Sequence, residues 1–302
     1  MRNRFVSIGE CMVEMAPTGE GTYRMGFAGD TLNTAWYVRK LLPANWTVSY
    51  VTGVGVDSIS DRMLDFFRSA QIDTSDVLRS PGKTVGLYMI QLDDGERSFS
   101  YWRSDSAARQ IAADAQALAE SLAGAEMIYF SGISLAILPQ TDRRPFLQAL
   151  ANARSQGSTI AFDPNLRPRL WETTTEMCEA ITEAAQVSNI VLPSYEDEAV
   201  HFGDETPLAT ANRYAAGGAR LVIVKNGPED LISLAEGIVS THAAVPAADV
   251  VDTTAAGDSF NAGFLSAYLQ GGDLQGAVQS GNRIASAVIG ARGALVDVVA
   301  KV

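Results

Sequence analysis

The feature that most constrains this chain is an alternation of texture. Short apolar runs take turns with segments of helical periodicity. FVSIG (5–9), WTVSYVTG (46–53), EMIYFSG (126–132), STIAFDPN (158–165), NIVLPS (189–194) and RLVIVKNG (220–227) read as strands. Between them, TLNTAWYVRKLL, DSISDRMLDFFRSA, RRPFLQALANARSQG, EMCEAITEAAQ and LATANRYAAGG repeat apolar residues at helical spacing, with Asp57 as the expected cap of the second. Near-continuous apolar strands alternating with helices require a parallel sheet covered on both faces. The expectation is therefore an α/β fold, a three-layer αβα arrangement around a mainly parallel central sheet. LISLAEGIVSTHAAV reads as a hairpin, and GDSFNAGFLSAYLQGG and DLQGAVQSGNRIASAVIGARG as two closing helices.

One stretch breaks the rhythm. KTVGLYMIQLDDGERSFSYWR (83–103) is two β-rich runs around Asp94-Gly95, a strong hairpin signal. Together with residues 11–30 it predicts a small β lid, formed by about 11–30 and 84–104. No repeat or long linker interrupts the rest, so a single domain over 1–302 is expected. In sheets of this kind ligands bind beyond the carboxyl ends of the strands. The polar or Gly-rich stretches after the strands, FDPN and VKNG among them, then lie on the ligand side.

Composition narrows the chemistry. The 302 residues are 47% hydrophobic and 19% charged, the balance of a soluble globular protein. Two cysteines far apart, Cys11 and Cys178, do not suggest a disulfide framework, and two histidines without Cys/His spacing give zinc or iron little to bind. The start, MRNRFVSIGECMVEM, is too short and interrupted in its apolar stretch for a signal peptide or a spanning helix. A cytoplasmic protein is expected. A net charge of −12 argues against nucleic acid and anionic membranes as partners. An anionic ligand would need a few well-placed arginines against that overall field.

Three motifs carry chemistry. GVGVDS (53–58) lacks the third glycine of a dinucleotide fingerprint and reads as a tight strand-to-helix turn. AGDTLN (28–33) places Gly29, Asp30 and Asn33 around a turn that opens a helix, where Asp30 could simply be a cap. DTTAAGDSFNAGF (252–264) is the most informative: two acids six residues apart, small residues between them, then a helical apolar run. Its Ala255-Ala256-Gly257-Asp258 backbone, at a helix N-terminus, offers unpaired N–H groups and a positive dipole end to an anion.

In this order, AGDTLN, VTGVGVDS, FDPNLRP, VIVKNG and DTTAAGDSFNAGF followed by ARGA resemble the ribokinase-type (phosphofructokinase-B) carbohydrate kinases over nearly the whole chain. GDTLN, GERSFSYWR, SGISLAIL and PNLRPRLW resemble the branch of that family acting on 2-keto-3-deoxygluconate. The resemblance implies a ribokinase-like fold and an ATP-dependent transfer to a sugar acid. Asp258 would be the catalytic base, near an ordinary aspartate pKa or below it because of the helix dipole, with residues 255–257 as the anion hole. The family often carries glycine where this chain has Ala255, which suits alanine only if no positive φ is needed. Gly29, Asp30, Asn33, Tyr88 and Tyr101 would meet the sugar, and Arg103 and Arg167 its carboxylate. Arg169 reads as a surface charge. Ser194, Lys225, Gly227, Asn282 and Ser286 fall on the nucleotide side. Ser194-x-x-Asp197 stands where the family has Asn-x-x-Glu, so Asp197 or a neighbouring acid would order water around Mg²⁺. Asp252 would either serve a monovalent cation or brace the loop. A homo-oligomer, a dimer or a multiple of it, is the family expectation. The alternatives are a kinase for a neutral sugar and a regulator without catalysis.

Overall fold

The computed structural model describes residues 3–93, 96–247 and 249–298. Its main sheet has eight strands in the order Ile238–His242, Leu231–Ala235, Leu221–Val224, Ile190–Val191, Thr159–Asp163, Met127–Ser131, Arg4–Ile8 and Thr47–Val51. The six strands from Leu221–Val224 to Thr47–Val51 are parallel, and the hairpin Leu231–Ala235/Ile238–His242 adds antiparallel strands at one edge. The expected mainly parallel sheet is present, and its buried faces account for the near-continuous apolar strands. One face packs Phe130, Phe146, Phe162 and Ile181, the other Phe5, Tyr50, Phe67 and Phe264. Among the described residues no helix is long and apolar enough to cross a membrane.

The two segments that broke the rhythm form one separate four-stranded sheet, in the order Thr22–Ala28, Met12–Gly19, Gly86–Asp93, Glu96–Trp102. The Asp94-Gly95 turn lies outside the described residues. A small apolar cluster of Met12, Ala28, Tyr88 and Ile90 also takes in Ala294 and Ala255, so this sheet packs onto the start of the Ala256–Leu269 helix and the stretch after the Leu274–Ile289 helix.

That helix is apolar on nearly every side, with Ser259 to Ser266 all buried, because it lies between helices Asp30–Leu41 and Leu274–Ile289. A Cβ on Gly263 would come within 2.8 Å of the Ser280 carbonyl, so glycine at 263 lets the two closing helices touch backbone to backbone. Asp57 caps its helix as expected, accepting from the Ile59 and Ser60 N–H groups. Three short helices escape the periodicity reading: Ala115–Leu122, Gly132–Ala136 and Tyr195–Phe202. At five to eight residues they span little more than two turns at most, too little for a repeat to register.

Candidate functional site

The carboxyl ends of the parallel strands bring three acids and one lysine together. Asp258, in the first turn of the Ala256–Leu269 helix, accepts a 2.8 Å hydrogen bond from the Asn33 side-chain amide. Thr34 Oγ1 donates to the Asp258 carbonyl at 3.2 Å. The Asp30 side chain caps nothing; it accepts from Asn165 Nδ2 at 2.8 Å. The backbone N-cap is Gly29, where a Cβ would lie 2.2 Å from the Glu10 carbonyl, so this turn can only be made tightly with glycine. AGDTLN and DTTAAGDSF, more than 220 residues apart, therefore share one pit.

Two expectations for the 255–258 loop need correction. Ala255 is left-handed, with φ +60° and ψ +18°, so the position does demand the conformation that glycine adopts freely. Alanine there carries strain of about 1 kcal/mol. Ala255→Gly is expected to raise the unfolding free energy by about that amount, read by urea titration. The second correction concerns Asp258. Its pKa is pushed up to about 8, first by burial, then by the negative charge of Asp30, against the pull of the Asn33 hydrogen bond. The helix dipole is outweighed, because the pit removes water and adds like charge.

Lys225 follows strand Leu221–Val224, and its side chain is 11% exposed. The ammonium lies 3.0 Å from Asp163 Oδ2 and 3.3 Å from Asn261 Oδ1. A Cβ built on Gly257 would be 3.6 Å from the same nitrogen, which places the lysine beside the 255–258 loop. Asp252 is buried and braces that loop. It accepts from the Thr254 N–H and hydroxyl at 3.0 and 2.7 Å, and from the Gly293 N–H at 2.8 Å. Tyr37 pins the same 293–296 stretch, donating to the Ala294 carbonyl and accepting from the Val296 N–H.

On the small sheet, Tyr88 and Tyr101 sit opposite each other with ring centroids 6.0 Å apart, and Tyr88 hydroxyl donates to Glu14. Arg103 is not a free cation: it pairs with Glu10, a carboxylate almost wholly buried behind it. Burial pushes the Glu10 carboxyl up, while Arg103, Ser106 and Arg109 pull it back. Arg167 remains half exposed at the rim, bonded to the Leu166 carbonyl at 2.6 Å and 3.7 Å from Asp197. Arg169, read as a surface charge, places its guanidinium over the Tyr101 ring at 5.8 Å.

The nucleotide-side residues divide. Ser194 pairs with Lys225 in an isolated bridge, and Tyr195 N–H donates to the Lys225 carbonyl at 2.8 Å. Gly227 makes a left-handed turn two residues on. Asn282 and Ser286 donate to the Ala243 and Pro246 carbonyls, tethering the 243–246 segment to the last helix. Of the acids at 196–198, Glu198 is turned into the core, held by Arg213 at 2.6 Å and Tyr214 at 2.9 Å. Burial pushes it up to about 7.

Sequence reasoning missed Asp163, Asn261 and Glu10. The first two lay inside quoted motifs, FDPN and DSFNAGF, yet nothing local marks them as facing the same lysine. Glu10 had only its place after a strand-ending glycine.

The chain is similar, over residues 2–300, to the family described as pfkB family carbohydrate kinase. It is 41% identical over 303 residues to a 2-dehydro-3-deoxygluconokinase of Escherichia coli K12, covering 98% of both chains. A 2-dehydro-3-deoxygluconokinase of Haemophilus influenzae is 40% identical over 97% of this chain and 95% of its own. The solved PfkB protein of Polaromonas sp. JS666 superposes with a TM-score of 0.84 at 28% identity, covering 96% of this chain and 97% of the other.

Proposed function

Because the chain belongs to the pfkB family of carbohydrate kinases, we propose that it transfers the γ-phosphoryl group of ATP to the terminal hydroxyl of 2-dehydro-3-deoxygluconate. The products are 2-dehydro-3-deoxy-6-phosphogluconate and ADP. The observation that carries this reading is the Asp258 carboxylate, held by Asn33 in the first turn of the Ala256–Leu269 helix, with Lys225 alongside.

The chemistry follows from that arrangement. The transferred phosphoryl group needs positioning and charge stabilisation more than covalent help. The Ala256 N–H is held by the Thr253 carbonyl at 3.2 Å, so the remaining N–H groups of 255–258 and the helix dipole receive its oxygens. The sugar hydroxyl attacks phosphorus, the bond to the β-phosphate oxygen breaks, and the hydroxyl proton passes to Asp258. A base pushed up to about 8 is better matched to this step than an ordinary aspartate. Gly29, Asp30 and Asn33 orient the sugar, and the small sheet, with Tyr88 and Tyr101, serves as a lid on a single kinase domain. Its exposed Trp102 is the kind of surface a second copy would cover. ATP as co-substrate places the reaction in the cytoplasm.

Mg²⁺ would arrive with ATP and neutralise its phosphates. Among the described residues no group of three or more His, Cys, Asp or Glu could hold a metal. The ion would be held by phosphates and water, with Asp197 as a carboxylate toward its water shell. Of the two roles expected for Asp252, the brace is the one its hydrogen bonds support.

Sugar-acid recognition falls first to Arg167, with Arg103 sharing its charge with Glu10. That ion pair is also the one observation favouring a neutral sugar. A coupled ADP-release assay across 2-dehydro-3-deoxygluconate, fructose and ribose decides between them. The sugar acid is expected to have a kcat/KM at least 10-fold above the others, and Arg167→Ala to raise its KM by about 10- to 100-fold, the worth of one charge-assisted bond. Equal turnover of fructose would sink the substrate assignment.

A further inference from the structure

We propose that Asp163 and Asn261 are positioning residues that hold the Lys225 ammonium beside the anion-hole loop with one N–H directed to the transferred phosphate. The inference rests on the kinase reading above. An ammonium has three N–H donors and no acceptor. Asp163 Oδ2 and Asn261 Oδ1 take two of them, and among the described residues the third has no partner. The open side of the nitrogen faces Gly257, which has no side chain to fill the gap.

The supports are themselves fixed. Asn261 is fully buried on the Ala256–Leu269 helix, one turn after Gly257, so it moves with the loop. Its amide donates to Asp163 Oδ2 at 2.6 Å and to the Tyr129 hydroxyl at 3.1 Å while its oxygen receives Lys225, so every part of the amide has work. The other Asp163 oxygen accepts the Asn165 N–H at 3.1 Å, and Asn165 in turn donates to Asp30. One hydrogen-bonded chain thus runs from the turn expected to hold the sugar, through Asp163, to the lysine beside the phosphate loop. A long, flexible side chain fixed at two points loses little further freedom when it binds a third. Charge-assisted bonds to a developing phosphoryl transition state are the contribution such a lysine would make.

A double-mutant cycle on kcat separates this role from a direct one. Asp163→Asn and Lys225→Met are each expected to lower kcat by about 10- to 100-fold with the sugar KM changed less than about 3-fold. In the Lys225→Met background, Asp163→Asn is expected to cost less than about 3-fold more. A full second loss there would show that Asp163 acts by itself and overturn the proposal. Because Asp163→Asn leaves a buried lysine without its counter-charge, Asn261→Ala provides a second arm. It is expected to lower kcat by about 5- to 10-fold in the native protein and to have no effect on kcat beside Lys225→Met. A fall in Tm with kcat unchanged in either single variant would make the network structural and also overturn it. The cycle runs on whichever sugar the native protein turns over, so a wrong substrate assignment leaves it readable. A native protein without any sugar-kinase turnover refutes the kinase reading instead.

Discussion

Asp258→Asn is expected to lower kcat by about 10²- to 10⁴-fold while leaving the protein folded, able to bind sugar and ATP, and more heat-stable than the native chain. The rate loss follows from removing the proton acceptor: asparagine keeps an oxygen for Asn33 but cannot take a proton. The stability gain follows from the raised pKa. In the unfolded chain Asp258 titrates near 3.8; in the pit it titrates near 8 because water is excluded and Asp30 repels its charge. Between those values the native state binds more protons than the unfolded one. Stability from this group is then fully present below pH 3.8 and is lost as pH rises toward 8. Asparagine removes that slope. At pH 8 the variant is expected to unfold several degrees higher, with the gap closing toward pH 4. The same ionisation gives kcat/KM an acid limb near pH 8, which Asp30→Asn shifts downward by removing the repulsion. Unchanged turnover in Asp258→Asn removes the proposed base. A Tm difference independent of pH removes the account of its pKa.

The parallel sheet, its antiparallel edge and the small second sheet follow from periodicity, because each element carries its own pattern and needs no partner to be recognised. The helix start at 255–258 was equally visible. The direction of the Asp258 shift was not, because it is set by burial and then by the charge of Asp30, both of which exist only after folding. Arg103 shows the same boundary. Its charge and its place after a hairpin strand suggested a ligand contact, while its partner Glu10 lay 93 residues away at the end of another strand. Ala255 was legible in a different sense. The family habit of glycine there was itself the signal for a left-handed residue, and the structure converts that habit into an angle. Asp163 and Asn261 fell out of view because each sat in a motif already explained by a neighbour, the FDPN turn and the Asp258 helix start.

Gly257→Ala isolates the loop from the base. Within a helix alanine is favoured over glycine by up to about 1 kcal/mol, and a Cβ at 257 would meet nothing closer than Lys225 Nζ at 3.6 Å. The fold therefore accepts the methyl, and thermal stability is expected to stay level or rise. The site does not accept it, because the added carbon stands between the ammonium and the N–H groups, where a phosphate oxygen must come within hydrogen-bond distance of both. Removing an oxyanion donor costs about 10²–10³ in rate, and a loss of about 10² in kcat is expected here, with the sugar KM little changed. A stable protein with depressed kcat and native sugar affinity is a combination that a packing defect does not produce. Native turnover in Gly257→Ala would mean that the phosphate is received elsewhere and that the small residues at 255–257 serve only the contact with the small sheet through Ala255 and Ala294.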